Sequence, residues 1–134
     1  MINASLKNYR QSPRKVRVVA NLVRGKSVEN ALNTLSFLSK KASDPLYGLL
    51  MSAIANAKNN FNIEKDSLMI KEIRVDAGVT LKRRMPRARG SAFPINKRTS
   101  HVNLVLVPKA ENKEKEIKAK ESKVKSEKVK IDKK

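Results

Sequence analysis

Between Thr80 and His101 the chain reads TLKRRMPRARGSAFPINKRTSH, with seven Lys or Arg and no acid. Like charges ~10 Å apart repel by ~0.4 kcal/mol per pair in water, so the stretch opposes its own compaction by roughly a few kcal/mol. The counter-charge has to come from outside it. SLMIKEIRVDAG precedes the stretch and SHVNLVLV follows it, both short and rich in Ile, Val and Leu as strands are. Pro86, Gly90 and Pro94 supply turn chemistry between them. The simplest reading is an extended hairpin over 78–100, with its bend around Arg87 to Ala92 and its base at Gly78 and Ser100. Arms of about eleven residues at ~3.3 Å each reach ~35 Å, beyond the radius of a domain this size. A two-stranded ribbon is marginal in water even without charge repulsion. The hairpin is therefore expected to be inserted into its partner and ordered by it.

The partner is expected to be a polyanion. Lys and Arg number 31 against 12 Asp and Glu in 134 residues, which points to nucleic acid or an anionic membrane surface. No apolar run approaches the ~20 residues that a bilayer requires, and MINASLKNYR is not a secretory leader, so no membrane partner is expected. The absence of Cys removes disulfides and thiolate metal sites and fits a cytoplasmic protein.

A compositional boundary falls at Pro108, and residues 1–108 read as one binding domain. Residues 109–134 hold eleven Lys and six acids, with no Arg, Gly, Pro or aromatic residue. Ala110, Ile117, Val124 and Ile131 recur every seven residues, but Lys or Glu occupies the positions that would complete a coiled-coil seam. This charged low-complexity tail is expected to be disordered.

Three helices are expected before the hairpin. The first starts at Ser12-Pro13 and ends at Gly25, with Val16, Val19, Ala20 and Val23 on one side and Arg14, Arg17, Asn21 and Arg24 opposite. The second follows Ser27 and carries Val28, Ala31, Leu32, Leu35 and Leu38 at core spacing. The third, set by Asp44-Pro45, carries Leu46, Leu49, Leu50, Ala53, Ile54 and Ala57 towards Asn59-Asn60. Strand-like segments then follow these helices, with the basic hairpin protruding.

Arg outnumbers Lys in the hairpin, whereas the tail uses Lys alone. Guanidinium forks bind phosphate bidentately and stack on bases, which suits folded RNA. Lys82 and Arg84 alternate with Arg83, placing cations on both faces of an extended ribbon. Met85, Phe93 and the prolines shape the bend, wedge between bases or face a lumen. His101 is the lone histidine and lacks any partner for acid–base or metal chemistry, and Walker, GxGxxG and nucleophile-elbow patterns are absent. No enzyme activity, cofactor or metal is expected.

SPRKVRVVANLVRGKSVENAL, SAIANAKNN and KRRMPRARGSAFPINKRTSHVNLVL, in that order, resemble the bacterial large-subunit ribosomal protein family numbered twenty-two over about Ala4 to Val107. The resemblance implies an α+β domain, about three helices packed on a small antiparallel sheet, in a structural constituent of the large subunit that binds its rRNA and supports assembly. It implies a hairpin threaded through that RNA, lining the nascent-polypeptide exit tunnel near ribosomal protein four. The tip would be Met85, Pro86, Arg87, Ala88, Arg89 and Gly90, passed by the growing polypeptide. Carried over residue by residue, Arg14, Lys15 and Arg17 match the family's first-helix motif, and Lys82, Arg83, Arg87, Arg89, Lys97, Arg98, Thr99, Ser100 and His101 match its hairpin. Arg24 and Arg84 join the expected rRNA contacts by charge and position. Ser91 stands where the family commonly has Arg, and Asp44-Pro45 interrupts a run usually written with Ala and Lys. The residues also admit an architectural DNA-bending protein with a basic β-arm, although no dimerisation seam is evident and a homo-oligomer is not expected. An RNA-processing enzyme is a more distant possibility.

Overall fold

The computed structural model describes residues 2–109. The tail expected over 109–134 lies outside the described residues apart from Lys109. The elements run β1 (Ile2–Tyr9), α1 (Pro13–Val23), α2 (Val28–Phe37), α3 (Ser43–Phe61), β2 (Leu68–Pro86) and β3 (Ala92–Pro108). A 3₁₀ turn at Lys65–Ser67 leads into β2, and another at Ala88–Gly90 joins β2 to β3. The three strands form one antiparallel sheet in the order β1-β3-β2.

Each helix follows from its sequence. Pro13 occupies the first turn of α1, where a missing N–H costs nothing, and Val16, Val19, Ala20 and Val23 are buried. Val28, Ala31 and Leu35 are buried on α2, while Leu32 and Leu38 pack at the rim of the core. α3 begins at Ser43 and holds Pro45 within its first turn, so Asp44-Pro45 starts this helix without breaking a hydrogen bond in it. Its buried Leu46, Leu49, Leu50, Ala53 and Ala57 face the sheet residues Leu68, Ile70, Ile73, Val102, Leu104 and Leu106 across one core. Burying a Val or Leu side chain in such a core contributes about 1.5–3 kcal/mol.

β1 is the element that the helix and hairpin signals do not reach. INASLKNY alternates Ile2, Ala4 and Leu6 inward with Asn3, Ser5 and Lys7 outward, and Ile2 pairs with Leu106, Ala4 with Leu104 and Leu6 with Val102. Short polar residues dilute its strand signal, so it forms only because β3 offers it an edge. It ends at Tyr9, opposite Ser100.

The other edge of the sheet is closed differently. Gly25 N–H donates to the Ile70 carbonyl at 3.1 Å, and Ile70 N–H donates to the Lys26 carbonyl at 3.0 Å, so the α1–α2 turn covers the start of β2. Further along, Arg24 donates to the Ile73 carbonyl at 2.8 Å, and Arg17 places Nε and Nη2 on the Val75 carbonyl at 3.1 and 2.9 Å. These guanidinium groups satisfy edge carbonyls that would otherwise invite another strand.

Candidate nucleic-acid interface

β2 and β3 continue past the helices as one ribbon. Pairing runs from Ala77 opposite Ser100, through Thr80 opposite Arg98, to Pro86 opposite Ala92. Between the first two of these pairs, Gly78 and Val79 together oppose Thr99, a β-bulge at the root of the arm. Thr99 Oγ1 donates to the Val79 carbonyl at 2.7 Å and fixes the bulge. A Cβ on Gly78 would overlap Thr99 Oγ1 and lie 2.9 Å from His101 Nε2, so any side chain here forces one of these neighbours to move. His101 Nδ1 accepts the Asn8 N–H at 3.0 Å, which assigns the proton of the neutral ring to Nε2.

The tip closes through two left-handed residues, Arg89 at φ 60° and Gly90 at φ 71°. Arg87 N–H donates to the Ser91 carbonyl at 2.8 Å, and Ser91 Oγ donates to the Ala88 carbonyl at 2.9 Å. Ser91 is thus a turn-forming residue. The bend lies over Arg87 to Ala92, as the proline and glycine positions require.

Where β1 stops, β3 loses its neighbour. Along this freed edge lies an open cleft of about 430 Å³, lined by Arg10, Gln11, Ser12, Lys15, Lys41, Asn96, Lys97, Arg98 and Thr99. Five of the nine are cations and none is an acid. Ser12 and Lys15 bring the first turn of α1, and with it the positive end of the helix dipole, to the cleft, so an anion is favoured by charge and by dipole. Tyr9 holds one wall, its hydroxyl donating to the Lys41 carbonyl at 3.0 Å. Burial, with the Asp44 carboxylate adding to it, pushes the Tyr9 phenol up from its ordinary pKa. Gln11 Oε1 is buried and lacks a hydrogen-bond partner among the described residues.

The expected contact residues fall in several places. Lys15, Lys97, Arg98 and Thr99 meet in the cleft, and Lys82, Arg83, Arg84, Arg87 and Arg89 are exposed along the arm. Arg14 is exposed on α1 outside the cleft. Arg17 and Arg24 line a second groove against Glu72 to Asp76, with part of each guanidinium committed to β2. Ser100 is 0% exposed and packs at the root of the arm, its Oγ without a hydrogen-bond partner among the described residues. Thr99, 8% exposed, acts through the bulge, and His101 holds β1 in place through Asn8. Sequence reasoning missed Arg10, Gln11, Lys41 and Asn96. Arg10 and Lys41 sit outside the dense basic run, and only recognising β1 would have carried Arg10 to the root of the arm.

Among the described residues the one ion pair joins Arg74 Nε to Asp76 Oδ2 at 3.4 Å, both exposed, so the cations of the cleft and arm have no acidic partner among those residues. No group of three or more His, Asp or Glu that could hold a metal occurs among the described residues. No described helix is long and apolar enough to cross a membrane.

Residues 4–107 match the profile of the family described as Ribosomal protein L22p/L17e. The chain belongs to the L22p/L17e family. It is similar to the large ribosomal subunit protein uL22 of Desulfitobacterium hafniense (strain Y51), 53% identical over 102 residues that cover 76% of this chain and 90% of that protein. It is also similar to the protein of that name from Pediococcus pentosaceus, 48% identical over 108 residues, 81% of this chain and 92% of the relative. Members of the L22p/L17e family are structural, non-catalytic proteins of the large ribosomal subunit, and this chain is one of them. The match ends at residue 107, one residue before the compositional boundary at Pro108.

Proposed function

We propose that the chain binds large-subunit rRNA through one continuous basic surface, formed by the cleft at the root of the arm and the arm itself. The observation that carries this reading is the cleft. Arg10, Lys15, Lys41, Lys97 and Arg98 converge without an acid beside a ribbon whose own cations have no acidic partner among the described residues. Phosphates docking there release condensed counterions, and the ribbon becomes a strut between RNA segments that repel one another. Residues 1–108 act as the single binding domain, with the tail dispensable for attachment. Deeper in the subunit, the tip from Met85 to Gly90 lines the nascent-polypeptide exit tunnel near ribosomal protein four, and the strut supports assembly.

Salt dependence tests the attachment. For six to ten phosphate contacts, affinity for large-subunit rRNA falls by roughly three to five decades between ~50 and ~200 mM salt. A flat response contradicts the electrostatic account, and tighter binding to duplex DNA than to rRNA favours an architectural DNA-binding role. For the tip, a photo-crosslinking residue replacing Ala88 labels the nascent chain in translating ribosomes; labelling that never includes it removes the tunnel assignment.

A further inference from the structure

The register of the arm sorts its side chains into two unlike faces. Leu81 opposes Lys97, Arg83 opposes Ile95 and Met85 opposes Phe93, so these six share one side; Thr80 opposes Arg98, Lys82 opposes Asn96 and Arg84 opposes Pro94 on the other. The second side continues that on which Ser100, Val102 and Leu104 meet the helices, and it is polar and basic. The first continues the open side of the sheet and carries an apolar stripe. Leu81 is 39% exposed, Met85 43%, Phe93 58% and Ile95 37%. Phosphate contact does not account for four exposed apolar side chains on an arm that must stay soluble until it is bound.

We infer that the two faces take different parts of the RNA: the Lys82–Arg84–Arg98 face takes phosphates, and the Leu81–Met85–Phe93–Ile95 face stacks on unpaired bases. This rests on the rRNA-binding reading above and deepens it. The occupant follows from charge. Arg83 and Lys97 interleave with the apolar groups, and no acid occurs between Asp76 and Glu111, so whatever covers the stripe must be flat and apolar yet bordered by negative charge. A nucleotide has both properties. Phenyl rings and guanidinium planes stack on unpaired bases, whatever their sequence. Spacing agrees: neighbouring side chains on one face of a strand lie ~6.7 Å apart, room for one base ~3.4 Å thick between two of them. Phe93, the most exposed of the four and directly across from Met85, is the principal stacking platform.

The test measures binding of the full chain to in-vitro-transcribed large-subunit rRNA over a range of salt, comparing slope with intercept. Phe93→Ser is expected to weaken binding roughly 5- to 150-fold at every salt concentration, with the slope of log K against log salt unchanged. Lys82→Gln with Arg84→Gln is expected to lower that slope by about 0.7–0.9 per lost contact. Phe93→Trp retains affinity, whereas Phe93→Leu, apolar but without a ring, loses most of what Ser loses. Circular dichroism and thermal melting of each variant stay at the parental values, because these side chains lie outside the core. If Phe93→Ser binds like the parent at all salts, the stacking face is overturned. It is equally overturned if Leu substitutes fully for Phe, or if Phe93→Ser leaves rRNA affinity intact yet blocks incorporation into subunits, which would assign the stripe to a protein. Failure of the parental chain to bind rRNA would instead overturn the reading beneath it.

Discussion

Gly78 lacks a side chain because Thr99 and His101 already fill the space that one would occupy. Gly78→Ala forces the Thr99 hydroxyl off the Val79 carbonyl or displaces the bulge, and it is expected to cost about 1–3 kcal/mol in urea unfolding. Val79→Ala, one position on and exposed, is expected to cost less than ~0.5 kcal/mol and serves as the control. Two arginines of α1 separate in the same way. Arg17→Ala strips two donors from the Val75 carbonyl and is expected to lower stability by about 1–2 kcal/mol, whereas Arg14→Ala, exposed and with no partner among the described residues, leaves the unfolding midpoint unchanged. Tyr9 gives a pH signature. Its phenol is raised above the ordinary value by burial and then by Asp44, so its contribution is complete below pH ~10 and falls away as pH rises through the folded-state value. Tyr9→Phe is expected to remove that alkaline component from a plot of urea midpoint against pH.

At the scale of elements, legibility followed the strength of local signals. α1 was readable because Ser12-Pro13 starts it and its valines keep helical spacing; Pro86, Gly90 and Pro94 located the bend for similar reasons. β1 was not. Its inward residues are Ile2, Ala4 and Leu6, two of them only half-buried, and a strand this weak exists through pairing with β3, a contact between segments far apart in sequence that no local window contains. Missing it hid the cleft, since the end of β1 is what exposes the edge of β3 beside Arg10. The two faces of the arm were legible only in part. Cations on both sides could be counted off, but the stripe joining Leu81 and Met85 to Phe93 and Ile95 depends on register, and the bulge at Gly78 and Val79 sets that register. Filling the bulge by Gly78→Ala should therefore disturb RNA binding by the arm as well as stability.

For the whole molecule, a small core carries a long cationic projection that gains little from the core itself. Helices and sheet share one apolar cluster that ends near Val75 and Val102, and beyond Thr80 the ribbon contributes no residue to it and is paired strand to strand. Strand pairing of that kind is marginal alone, and like charges along both faces weaken it further. Under the proposed function, RNA supplies the missing half of the fold for this region. Amide hydrogen exchange from Leu81 to Ile95, measured on the free chain and on the same chain bound to large-subunit rRNA, tests this most directly. The account predicts rapid exchange in the free chain alongside a protected core at Val102 to Leu106, and strong protection of the arm only in the complex. Arm amides as protected in the free chain as those of the core would contradict it.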